Sequence, residues 1–266
     1  MVTKQDIIKS FKELGIEPTD TLLVHSSLKS LGTVDGGAQT VIDALMEVVK
    51  DGTLVFPTLR QRNMQDAYKD WDVNTTPSDV GLITETFRKM EGTLRSNQET
   101  HSVAAIGKHA KYLTEAHSKG KPRDGSFGDY AFGHSSPWER MYELNAKVVF
   151  IGVSMLYNTF KHYTEQKNAN DILDALPEDV RERALAEIQR FNSGGPVWFG
   201  HSGIKVQDFL TKKGYVHYGK CGEATLTMYK TAEYVPIMQK ELFENPFDWL
   251  NDLGAVWVDT YKKLIK

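Results

Sequence analysis

The chain has 266 residues, with 32 basic against 35 acidic side chains, a formal net charge of −3 and one cysteine, Cys221. That balance excludes the electrostatic footprint of a nucleic-acid binder, and a lone cysteine excludes an intramolecular disulfide and zinc sites built on several thiolates. The polar start, Met1 to Asp6, has no signal-peptide core, and no apolar run reaches membrane-spanning length, so a cytoplasmic globular protein without a membrane partner is expected.

Thr3, with Asp6 three residues on, caps a first helix whose apolar stripe is Ile7, Ile8, Phe11 and Leu14 and whose stop is Gly15. Thr21 to Val24 reads as a buried strand, followed by a loop from Ser26 to Asp35. Gly36-Gly37 opens a helix with Val41, Ile42, Leu45 and Val48 on one face, and Thr53 to Phe56 is a second strand. Strand, helix and strand at this spacing predict a βαβ unit. Residues 59–75 show no periodicity and read as an excursion. Thr76-Pro77-Ser78-Asp79 has the form of a helix start, with the helix running to about Glu91 and Gly92 ending it. A strand over Ser102 to Ile106 and a helix near His109 to His117 follow, then a polar loop over 118–134. Ser136-Pro137-Trp138-Glu139 starts a helix reaching about Leu144, and Val148 to Val153 is a buried strand. The rest reads as a charged helical stretch over Asp171 to Phe191, a helix from Ser202 to Lys213, and strands at Tyr215 to Tyr218 and Ala224 to Tyr229 flanking a turn from Gly219 to Gly222. Tyr261 to Lys266 reads as a solvated helix end. Alternating strands and helices with no repeat or linker predict one layered α/β/α domain with a mixed, largely parallel central sheet.

Four places can carry chemistry. His25-Ser26-Ser27-Leu28 sits at the end of a strand, where open α/β sheets bind ligands, and Gly36-Gly37 offers N–H donors at a helix start. Together they suit a phosphate or pyrophosphate; equally, Ser26-Ser27 can be an ordinary turn and Gly36-Gly37 a tight helix entry. No Walker A or Gly-x-Gly-x-x-Gly pattern is present, which disfavours a nucleoside triphosphate or dinucleotide. Gly152-Val153-Ser154-Met155 is half of a nucleophile elbow, with Leu156 where the second Gly belongs. Gly200-His201-Ser202-Gly203 is a similar near miss, read more simply as a helix cap. Finally, in Asn158 to Glu165, a helix puts His162 and Glu165 on one face, where the carboxylate can orient the imidazole and stabilise its protonated form. Standing alone, such a pair is more often a surface contact of little consequence.

Several spaced motifs then agree with one family. Leu22 to Gly32, Val34-Asp35-Gly36-Gly37, Gly52 to Thr58, Thr76-Pro77-Ser78, Arg95-Ser96, His101 to Ala104, Gly133 to Pro137 and Asn158 to Glu165 resemble, in order and spacing, the aminoglycoside 3-N-acetyltransferase family. The resemblance covers nearly the whole chain and thins after residue 170. It implies one acetyltransferase domain over 1–266 that moves acetyl from acetyl-CoA, without a metal, to an amine of an aminoglycoside, at the 3-amino group of the 2-deoxystreptamine ring. The protein would act as a monomer or homodimer. Carried over, His162 is the base, Glu165 its orienting partner and Thr159 a donor to the oxyanion. His25, Ser26, Ser27, Leu28, Gly36, Gly37, Thr58, Ser102 and Val103 would hold CoA. The acceptor would lie near the excursions 59–75 and 166–200, with Asp66, Asp70, Asp72, Glu223 and the acids of 171–187 as candidate carboxylates and Asp72 and Glu223 preferred. Two features depart from the family: Gln98-Glu99 stands where many relatives carry His-Pro, and basic residues (Arg60, Arg62, Lys69, Arg181, Arg183) are interspersed among those acids. Another amino sugar, cell-surface or nucleotide-linked, is therefore the rival acceptor, and a non-catalytic CoA-binding relative the rival role.

Overall fold

A computed structural model of the chain describes residues 1–60, 69–125, 127–128, 130–193 and 199–265, with the backbone alone over 190–193. Helix α1, Lys4–Glu13, begins with the reciprocal cap its sequence predicts. The Asp6 N–H donates to Thr3 Oγ1 at 3.3 Å, and the Thr3 N–H donates to the Asp6 carboxylate at 2.9 Å. Strand β1, Thr21–Ser26, helix α2, Gly37–Val48, and strand β2, Thr53–Pro57, form the expected βαβ unit, with β1 and β2 parallel. Strands β3, Leu94–Arg95, β4, Val103–Gly107, β5, Lys147–Ile151, β6, His217–Cys221, and β7, Ala224–Lys230, complete a seven-stranded sheet in the order β3-β4-β2-β1-β5-β7-β6.

The sheet is mixed, as expected. β1, β2 and β5 run in parallel at its centre, while β4 and β7 oppose them, so every ladder outside the central three strands is antiparallel. Each central strand is buried on both faces, which is why it reads as an unbroken apolar run. Leu22 and Val24 point into one core with α1, α2 and α3 (Leu82–Arg88); Leu23 points into the other. That second core holds α5 (Pro137–Glu143), α6 (Phe160–Ala175), α8 (Gly203–Lys212), α9 (Thr231–Glu244) and α11 (Asp252–Lys262). The short helices α4, Ala110–Thr114, and α10, Pro246–Trp249, and the long α7, Glu178–Ser193, fill the remainder. Among the described residues, no helix is long and apolar enough to cross a membrane.

Three local expectations are corrected. The helix expected from Pro77 begins at Leu82, behind Gly81 with φ 134°. The groups that would cap it are used elsewhere: Thr76 Oγ1 accepts the Asp72 N–H at 2.8 Å, and the Ser78 N–H donates to Glu85 at 2.9 Å. The hairpin is two residues tighter than expected, since Gly219 and Lys220 pair within β6 and the turn is Gly222-Glu223. Tyr261 does not end a solvated helix; its ring is buried, 5.0 Å from Trp257.

Candidate active site

β5 ends at Ile151, and Gly152, at φ 62°, turns the chain across the edge of Ser30, where a Cβ would meet the Ser30 hydroxyl at 1.8 Å. A 3-10 turn, Met155–Tyr157, is capped by Ser154, whose hydroxyl accepts the Leu156 N–H at 3.3 Å. Ser154 thus does a turn's work. Asn158 then fixes the start of α6: its Oδ1 accepts the Phe160 N–H at 3.1 Å and the Tyr229 hydroxyl at 2.8 Å. Thr159 occupies the N-cap position without using its hydroxyl as a cap.

One turn further, the three-residue spacing delivers the pair. His162 Nδ1 lies 2.8 Å from Glu165 Oε2. A proton on Nδ1 satisfies the carboxylate and leaves the lone pair on Nε2. The Glu165 side chain is 1 % exposed and that of His162 is 23 %, so the carboxylate is sealed while the imidazole retains access. The other carboxylate oxygen, Oε1, accepts the backbone N–H of His201 at 3.0 Å. His201 Nδ1 lies 2.7 Å from the same oxygen but off the line of a good hydrogen bond, so the backbone bond is the better one. Burial alone would raise the Glu165 pKa, but the charges and hydrogen bonds of His162 and His201 outweigh it and hold the carboxyl at about 2.

The His162 ring is walled by aromatic groups: Phe127 at 4.7 Å, His101 at 6.0 Å and Phe132 at 6.2 Å between centroids. His101 is buried, and its burial, with the neighbouring His162 and His117, pushes its pKa far below the usual histidine value. It is therefore a neutral neighbour that does not compete for the proton.

A cavity of about 550 Å³ opens in front of His162. Its walls come from the ends of β1 and β2 (His25, Ser26, Pro57), the approach to α3 (Asp79, Val80, Gly81) and the start of α6 (Asn158, Thr159, Lys161). His25 shares a face of β1 with Leu23, two residues before it, so it faces α6; its ring stacks on Phe150 at 4.9 Å, and burial pushes its pKa to about 3.

Of the residues expected to hold CoA, His25 and Ser26 line this cavity and the others do not. Ser27 and Leu28 lie in the adjoining 3-10 turn, Leu28–Leu31, and its cap. Gly36 and Gly37, at φ 72° and 63°, begin α2. The Thr58 and Ser102 hydroxyls bond each other at 2.9 Å and both accept from Arg95 Nε, at 3.2 and 3.3 Å, while Val103 is buried in β4. Neither preferred acceptor carboxylate reaches the cavity. Asp72 accepts the Asn74 and Thr75 N–H groups at 2.9 and 2.7 Å. Glu223, in the β6–β7 turn, borders a separate hollow beside Val2, Asp6 and Leu31. Asp66 and Arg62 lie outside the described residues. The sequence reading missed His201, Phe127, Phe132, Tyr157 and Lys161. Only Lys161, inside the Asn158–Glu165 segment, and Tyr157, immediately before it, carried a signal that could have found them.

Comparison with known proteins supplies the family context. A model of the aminoglycoside 3-N-acetyltransferase family matches residues 23–242. The chain is 32 % identical to the SPbeta prophage-derived aminoglycoside N(3')-acetyltransferase-like protein YokD of Bacillus subtilis (strain 168), over 91 % of this chain and 93 % of that one. The crystal structure of YokD superposes with a TM-score of 0.70 at 25 % identity, covering 92 % of this chain and 95 % of that one. Aminoglycoside N(3)-acetyltransferase III of Salmonella sp is 32 % identical over 62 % of this chain and 60 % of that protein, so the match spans less than two thirds of its length. A structure described as AAC-IIIb binary with CoASH shares the fold, with a TM-score of 0.69 at 19 % identity over 90 % of this chain and 96 % of that one.

Proposed function

The chain belongs to the aminoglycoside 3-N-acetyltransferase family, and we propose that it transfers acetyl from acetyl-CoA to an amino group of an aminoglycoside, at the 3-amino position of the 2-deoxystreptamine ring. The observation that carries this reading is the half-open His162 with its Nδ1 tied to buried Glu165, at the wall of a cavity bounded by the ends of β1 and β2.

An amine attacks a thioester only when unprotonated. His162 Nε2 takes the proton from the acceptor amine as nitrogen bonds to the acetyl carbonyl carbon. Glu165 stabilises the imidazolium so formed and keeps its ring aimed. The Thr159 hydroxyl, at the mouth of α6, donates to the oxyanion, where the positive end of the helix also faces. Collapse breaks the carbon–sulfur bond, and the proton held on His162 passes to the departing thiolate. His25 and Ser26 border the route by which the acyl donor reaches His162, and Ser27, Leu28, Gly36 and Gly37 are proposed to meet its phosphates outside the cavity.

A second acceptor class is favoured by one observation. The ionisable side chains of the cavity wall, besides its histidines, include one acid, Asp79, and one base, Lys161. A polycation is better held by several carboxylates, so a less charged amino sugar is the alternative. Incubating the protein with acetyl-CoA and a panel of aminoglycosides and amino sugars, and reading free thiol, separates the two. Release with kanamycin-type or gentamicin-type amines supports the first; release only with singly charged amino sugars replaces it; no release with any amine sinks both.

A further inference from the structure

We infer that His201 is a positioning residue for the transfer, acting through Glu165: it holds the carboxylate in place and takes a share of its charge, so setting the basicity of His162. The inference rests on the role proposed for His162 and adds a group that the family resemblance did not supply.

The geometry is a carboxylate between two imidazoles. Oε2 is hydrogen-bonded to His162 Nδ1 at 2.8 Å, and Oε1 lies 2.7 Å from His201 Nδ1, off the line of a good hydrogen bond but close enough for the two groups to act on each other electrostatically. A nitrogen lone pair that close to a carboxylate oxygen would repel it, so the His201 hydrogen belongs on Nδ1 in either charge state. The His201 side chain is fully buried, so water does not offer Glu165 a substitute donor there. Its placement is also built in. Ser202 caps α8 by accepting the Lys205 N–H at 3.3 Å, and His201 bridges to Leu250. Gly203 sits so close to the turn after β5 that a Cβ would meet the Met155 carbonyl at 2.0 Å. The segment that carries His201 is thereby pressed against the segment that leads into α6.

The consequence is a divided carboxylate. Negative charge drawn toward His201 is charge withheld from the His162 imidazolium, while the second contact stops Glu165 rotating away. Other ionisable groups around this arrangement are His101 beside His162, Tyr234 on α9, whose phenol burial and then the Glu165 charge push upward, and His25, Asp79 and Lys161 along the cavity.

The test is a nitrogen-15 histidine NMR titration of the protein, His162→Ala supplying the assignment, and it needs no substrate. In the unaltered protein the His201 shifts should report a hydrogen on Nδ1; a tautomer protonated on Nε2 alone overturns the inference, whatever any variant does. In His201→Phe the His162 midpoint should rise by about half a unit or more, and His201→Asn, whose amide N–H can occupy the Nδ1 position, should bring it back. An unmoved midpoint in a folded His201→Phe protein also overturns it. In turnover assays, His201→Phe should lower kcat about tenfold with KM for acetyl-CoA unchanged; a change in KM alone would make His201 merely structural. If the protein acetylated no amine at all, the proposed function would fail while the titration still decided the coupling.

Discussion

Two polar clusters border the upper edge of the same sheet, and they differ in what they leave unspent. Around Arg95 everything is bonded. Nε donates to the Thr58 and Ser102 hydroxyls, Nη1 to the Val73 and Thr76 carbonyls and Nη2 to the Thr58 carbonyl at 2.8 Å, while the guanidinium lies 4.6 Å over Trp71. Around Glu165 the carboxylate is equally enclosed, but among the described residues the chain of bonds stops at His162, whose ring lines the cavity. A saturated cluster spends its bonding capacity on holding a loop. A cluster that ends in a partly exposed imidazole keeps bonding capacity for whatever enters the cavity. Family motifs mark both, so a motif alone does not separate a brace from a base.

Substitutions can break this contrast. His162→Ala should cut kcat about a thousandfold while leaving CoA affinity by calorimetry within twofold of the unaltered protein, on the order expected for an untouched binding site; near-normal turnover would end the assignment of the base. Thr159→Val keeps the shape and removes the hydroxyl, and should cost about a hundredfold in kcat with little change in KM. Should it be neutral, the oxyanion donor lies elsewhere. Glu165→Gln should lower kcat by roughly tenfold or more. It also has a signature in acid. With its pKa depressed from 4.5 to about 2, Glu165 contributes stability that is complete above the unfolded value and is lost as pH falls through the folded one. Denaturant midpoints of the two proteins should therefore converge between about pH 4.5 and pH 2, and parallel curves there would refute the linkage. Arg95→Lys should act the other way round, lowering stability by about 2 kcal/mol through carbonyls and hydroxyls left without donors, with a smaller effect on kcat than any of the three. A large kcat loss without a stability loss would erase the distinction between the clusters.

The part of this that could be read from sequence is the part made by neighbours in sequence. The Thr3 and Asp6 cap and the His162–Glu165 face depend on residues a few positions apart, and the βαβ unit on the spacing of consecutive apolar segments; all are found. What was not legible depends on tertiary closure. Thr76 looks like a helix cap, but its hydroxyl serves the Asp72 turn, so α3 starts five residues beyond Pro77. His201 approaches Glu165 across 36 residues, and nothing in Gly200-His201-Ser202-Gly203 announces its partner. Phe127 and Phe132 lie in a stretch whose composition reads only as loop, yet they wall the His162 ring. Glu223 is acidic and sits at the same end of the sheet as the site, but its strand edge turns it toward α1.

Helix α6 is unusual in burying polar residues around much of its girth: Thr164, Glu165, Gln166, Asn168 and Asn170 are all enclosed. Part of that enclosure is supplied by helices that follow β7. Gln239 of α9 donates to the Thr164 carbonyl at 2.8 Å, and its own carbonyl accepts from Asn168 at 3.4 Å. During synthesis, therefore, α6 leaves the ribosome well before its walls do, and its buried amides must remain hydrated until α9 emerges. In a nascent chain arrested at Lys230 the polar face of α6 has no α9 to cover it, and pulse proteolysis of such arrested chains should cut within α6 where the completed protein resists.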